Sequence, residues 1–86
     1  MLNEKLYIVL ITDISDGEAL IENGRAFVSK DLNEVRAKIN ELRDTYKYLQ
    51  EESGYIYEGS EDYFTYFQDG FYGQNHVYVS TESIDL

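Results

Sequence analysis

Six apolar residues in the middle of the chain, Leu32, Val35, Ile39, Leu42, Tyr46 and Leu49, recur at spacings of 3, 4, 3, 4 and 3. That period lays one apolar stripe along a helix of about five turns. Glu34, Arg36, Lys38, Glu41, Arg43, Asp44 and Lys47 fall on its other faces. Ser29 or Asp31 can cap its start, and Asp31 with Glu34 resembles a capping box. Gly54 stands just past its end, where a left-handed residue is common. The stripe spans fewer than three heptads, which favours packing on a sheet over a coiled coil. This helix therefore demands a flat apolar partner, and the segments on either side of it read as strands.

Lys5 to Asp13 is apolar on both alternating sets, Leu6, Ile8 and Leu10 against Tyr7, Val9 and Ile11. Such a strand is expected inside a sheet or covered on both faces. Asp16-Gly17 reads as a turn, Glu18 to Glu22 as a return strand, Asn23-Gly24 as a second hairpin turn and Arg25 to Val28 as a short closing strand. Beyond the helix, Tyr55 to Tyr57 reads as a short strand. Tyr63 to Phe67 fits a strand, and also a helical turn; strand is favoured because Tyr and Phe prefer it. Asp69-Gly70 marks another turn, and His76 to Ser80 a final strand. Thr81 to Leu86 is expected to fray, with Ile84 and Leu86 as possible extensions of the strand. The expected fold is α+β, ordered β-β-β-α-β-β with room for one more short strand: an antiparallel sheet of about four or five strands with the helix on one face. Residues 1–86 form one domain. The second sheet face then needs a cover, either the aromatic tail or another copy of the chain, so a homodimer is one expectation.

The chain has 86 residues and no Cys, so neither a disulfide nor a thiolate metal site can reinforce it. The apolar run Leu6 to Ile11 is too short for a secretory or membrane-spanning segment, and a cytoplasmic protein is the default. The net charge is −10, and it is unevenly spread. Every Lys and Arg lies at or before Lys47, whereas Glu51, Glu52, Glu58, Glu61, Asp62, Asp69, Glu82 and Asp85 follow it. Without bases to displace counterions, direct nucleic-acid binding is disfavoured, as is an anionic membrane. A basic protein surface, or a cation, is the natural complement.

The same tail carries seven Tyr and three Phe, whereas acidic segments are usually poor in aromatics. Carboxylates can stand in for phosphates there, and Tyr rings can anchor an interface. Glu51, Glu52, Glu58, Glu61, Asp62 and Asp69 are the candidate partner-binding acids, with Tyr63, Tyr66 and Tyr72 as anchors. The competing reading makes the rings core and the acids merely solubilising.

No motif specifies catalysis. His76 has no recognisable partner motif, and the serines lie in no nucleophile elbow. Adjacent acids such as Glu51-Glu52 do not define a glycosidase pair. Asp13 to Glu18 departs from a calcium loop, and Gly70 to Gly73 lacks the Lys of a phosphate loop. No cofactor or metal is implied, and a non-enzymatic role is expected.

In size, charge and lack of catalytic motifs the chain resembles, as a class, small acidic inhibitors encoded by phages and mobile elements. These include DNA-mimic anti-restriction proteins, uracil-DNA glycosylase inhibitors and anti-CRISPR proteins. The resemblance rests on the composition of residues 48–86. It implies a non-enzymatic inhibitor in the host bacterial cytoplasm that occludes a basic, nucleic-acid-binding surface of a defence or repair enzyme, such as a CRISPR effector or other nuclease. The alternative is a homo-oligomeric α+β module with a structural or regulatory role.

Overall fold

The computed structural model describes residues 4–14, 22–68 and 75–86. The chain forms β1 (Lys5–Asp13), β2 (Glu22–Ser29), α1 (Leu32–Tyr46), α2 (Tyr48–Ser53), β3 (Ile56–Gly59), β4 (Phe64–Phe67) and β5 (His76–Asp85). The strands make one sheet in the order β2-β1-β5-β4-β3, with every neighbouring pair antiparallel. The α+β class holds, with the order β-β-α-β-β-β in place of β-β-β-α-β-β.

The difference lies before the helix. Asn23 and Gly24 do not turn the chain; they lie within β2, opposite Thr12 and Ile11. Arg25 to Val28 continues that strand and is not a third one. The register runs from Val9 opposite Phe27 to Leu10 opposite Arg25, which leaves Ala26 as a one-residue bulge. Gly24, with φ 155°, supplies its backbone freedom beside this bulge. The expected Asp16-Gly17 turn and most of the Glu18 to Glu22 strand lie outside the described residues.

The far end of the chain also differs. β5 does not stop at Ser80 but pairs along the whole of β1, from Asp13 opposite Val77 to Lys5 opposite Asp85. Leu86 N–H then donates to the Glu4 carbonyl at 2.9 Å. Without this pairing the backbone of Lys5 to Val9 would be bonded on one side at most. Tyr63 to Phe67 resolves as strand, beginning at Phe64.

The helix follows its stripe. Val35, Ile39 and Leu49 are buried, and Leu32, Leu42 and Tyr46 pack against the core. Asp31 is the cap, its Oδ1 accepting from Asn33 N–H at 2.9 Å. Glu34 does not complete a capping box; it accepts from the Ser29 hydroxyl at 2.7 Å, while Ser29 Oγ accepts from Asp31 N–H at 3.0 Å. Lys47 interrupts the helix with a bond tightened to Asp44 O, so α1 and α2 form one bent helix. Gly54 closes it with φ 73°, the left-handed conformation that favours glycine.

The helix covers the sheet face formed by Val9, Ile11, Val77, Val79, Phe64 and Tyr66, all at most 2 % exposed. Asp13 is buried on the same face. Period-2 alternation sends Leu6, Ile8 and Leu10 to the opposite face. There Val28, Ile56, Tyr78 and Ile84 are 40–51 % exposed. Leu6, Ile8 and Leu10 themselves are half-buried.

Candidate partner-binding surface

The candidate acids are strung along one border of the sheet. Glu51 and Glu52 lie on α2, just before the outer strand β3. Glu58 lies on β3 itself, and Glu61 and Asp62 in the turn that leads to β4. β3 spans four residues, so this border extends roughly 13 Å from the end of α2 to the turn. Glu51, Glu52, Glu58 and Glu61 are exposed, and Asp62 is half-buried. The arrangement is an acidic border, not a row of carboxylates on one strand. β4 carries no acid, and Glu82 and Asp85 alternate to opposite faces of β5. Asp69 and Tyr72 lie outside the described residues.

Bases from the first half of the chain reach several of these acids. Arg36 Nε donates to Asp62 Oδ1 at 3.0 Å, and its Nη2 lies 3.5 Å from Glu61 Oε2. The Asp62 hydrogen bond chiefly raises the Arg36 guanidinium above its ordinary pKa, with burial opposing. Lys47 lies 3.4 Å from Glu51 one helical turn away. Arg43 crosses from α1 to the same turn, donating to the carbonyls of Ser60 and, at 3.4 Å, Tyr63. Thr81 Oγ1 holds the turn from the other side, donating to Asp62 O at 2.8 Å. The tail that lacks bases in sequence therefore meets three of them in space. Only Glu52 and Glu58 of the candidate acids make no ion pair among the described residues. Sequence reasoning missed the roles of Arg36 and Arg43. Their separation of seven places them on one side of the helix, two turns apart, and was the available signal.

The aromatic candidates divide. Tyr63 is half-buried, and its hydroxyl donates to Glu58 Oε1 at 3.3 Å. Tyr66 is 2 % exposed and belongs to the core, which corrects its expected place as a surface anchor. It stacks near Tyr57 and Phe64, with ring centroids at 5.1 and 5.5 Å. Its alternation with Thr65 and Phe67 directs it under the helix, where its hydroxyl donates to Arg43 O at 3.1 Å. Tyr55 and Phe64 are core as well.

Both phenols have a pH consequence. The Glu58 charge first, then burial, raises the Tyr63 pKa, and burial first raises that of Tyr66. In the unfolded chain both would ionise near the usual value of about 10. Above that pH the unfolded state has lost protons that the folded state retains. Their contribution is therefore complete below about pH 10 and is lost as pH rises through the folded values. Urea midpoints are expected to fall between pH 8 and about 10.5, and to fall less in Tyr66→Phe. Equal falls in both proteins would remove Tyr66 from this account.

His76 is half-buried at the start of β5. Among the described residues no three His, Asp or Glu side chains converge as metal ligands, and no helix is long and apolar enough to cross a membrane. No protein-family model matches the chain, and it has no match among curated proteins or solved structures.

Proposed function

We propose that the protein is a non-enzymatic acidic inhibitor that occupies a basic, nucleic-acid-binding surface of another protein, in the manner of the anti-CRISPR and other DNA-mimic anti-defence proteins it resembles. The acidic border running from α2 through β3 to the turn before β4 supports this reading. It joins exposed carboxylates to a half-buried ring, Tyr63, on a chain of net charge −10. A field of that sign would steer the chain toward a basic groove. Occupancy by a folded border would then exclude nucleic acid sterically. The bending of carboxylates around the sheet edge favours occlusion over a strand-by-strand copy of a phosphate backbone. Charged side chains on an outer strand also deter edge-to-edge pairing, and that role alone would need no partner.

Glu52 and Glu58 are better probes than Glu61 and Asp62, because reversing them breaks no ion pair among the described residues, Glu58 giving up only the hydrogen bond from Tyr63. A basic nucleic-acid enzyme captured from host lysate at about 50 mM salt should be released at several hundred millimolar. Glu52→Lys with Glu58→Lys should weaken its binding at least about tenfold and flatten the salt dependence. An unchanged affinity and salt slope in that double variant, with the fold intact, would overturn the proposal.

A further inference from the structure

The sheet face opposite the helix shares only Glu58 with the acidic border, and its chemistry is different. We infer that it is the interface of a homodimer, in which two copies pack their open faces together as a β-sandwich. The face carries Leu6, Ile8 and Leu10 from β1, flanked by Val28, Tyr78 and Ile84, with the uncharged Thr12, Ser80 and Thr65 beside them. Its charges stand at the rim. Arg25 lies on the outer strand β2 and Glu58 on the opposite outer strand β3. Glu82 lies on the part of β5 beyond its pairing with β4, which ends at Val79. A largely apolar, uncharged middle within a charged rim is the anatomy of an interface.

Area and charge both favour a second copy as the occupant. The strands contribute 9, 8, 10, 4 and 4 residues. At about 3.3 Å along a strand and about 4.8 Å between strands, the face covers roughly 550 Å² in projection. Two such faces, with the relief of their side chains, reach the roughly 1,200–2,000 Å² that specific interfaces bury. The face is also self-complementary. A two-fold axis parallel to the strands lays the β2 edge of one copy over the β3 edge of the other. Arg25 lies level with Leu10 and Ser80, and Glu58 level with Thr12, Tyr78 and Thr65. The offset is two residues, about 7 Å, within reach of an Arg and a Glu side chain. Sandwich sheets align within about 30°, which preserves this juxtaposition.

The full chain should sediment as a dimer of twice 10.1 kDa at tens of micromolar. Tyr78→Lys alters a side chain that is already 43 % exposed, so the monomer should keep its circular dichroism. Its dimer should dissociate at least about tenfold more readily. Arg25→Glu should weaken the dimer, and adding Glu58→Arg should restore it. Because each copy carries a net −10, raising salt from 50 to 500 mM should leave association unchanged or strengthen it, opposite to capture of a basic partner. A wild-type monomer at 100 µM, or a dimer indifferent to Tyr78→Lys, would overturn the inference. So would a monomer whose Leu10→Cys thiol resists maleimide, since the chain's own residues would then cover the face. None of these outcomes depends on the inhibitor reading.

Discussion

Phe64→Ala is expected to cost about 3–5 kcal/mol, a large share of the roughly 5–10 kcal/mol that holds a domain of this size together. The Phe64 side chain is fully buried, and β4 carries it to the middle of the helix-covered face. It lies opposite Val79 on β5 and meets Tyr66 edge-on, at 66° between ring planes. Across β4 it faces Gly59, and a Cβ placed there would come within 2.9 Å of Phe64 Cβ. Neighbours this constrained cannot readily collapse into the cavity that alanine leaves, so the transfer and cavity terms both apply. Urea unfolding followed by circular dichroism is expected to show a midpoint lowered by roughly a third or more. A midpoint within about 1 kcal/mol of wild type would mean that the core can repack around Phe64.

Arg43→Met is expected to cost about 2 kcal/mol, although Met keeps much of the aliphatic stem. The Arg43 guanidinium ties α1 to the β3–β4 turn through the Ser60 and Tyr63 carbonyls, and donates to Asn40 Oδ1 at 2.7 Å. Its Cζ also stands 5.6 Å from the Phe64 ring centroid and 6.0 Å from that of Tyr57, within reach of a cation–π attraction. One term opposes these. Arg43 Nε is buried with no acceptor among the described residues, and Met relieves that penalty. Lys38→Met is the control, because the exposed Lys38–Glu41 pair is worth only a few tenths of a kcal/mol. Equal urea midpoints for the two variants would show that the bridge to the turn does not stabilise the fold.

Much of the scaffold is legible in the sequence. The Leu32 to Leu49 stripe selects the residues that pack on the core, since a 3.6-residue period leaves one face for burial. Asp31 and Gly54 act at the helix ends because one offers a side-chain acceptor and the other a left-handed backbone. The Asn23-Gly24 signal misled because the same glycine freedom serves a turn or a bulged strand, and only pairing with Thr12 and Ile11 decides which. Thr81 to Asp85 carries little strand signal by itself. Its order comes from Lys5 to Val9, more than seventy residues away.

The candidate surface follows the same division. Sequence alone determined that the tail is acidic and aromatic, that it lacks bases, and that β1 is apolar on both faces, because composition and local period are properties of the chain itself. Tertiary structure decided that Tyr55, Phe64 and Tyr66 are core while Tyr63 remains at the border. It also decided that Arg36 and Arg43 reach across to the turn at Glu61 and Asp62, and that the helix covers only one face of β1. The reason is physical. Burial and ion pairing depend on which distant segments meet, and that is set by the register of the whole sheet, which no short stretch of the sequence contains.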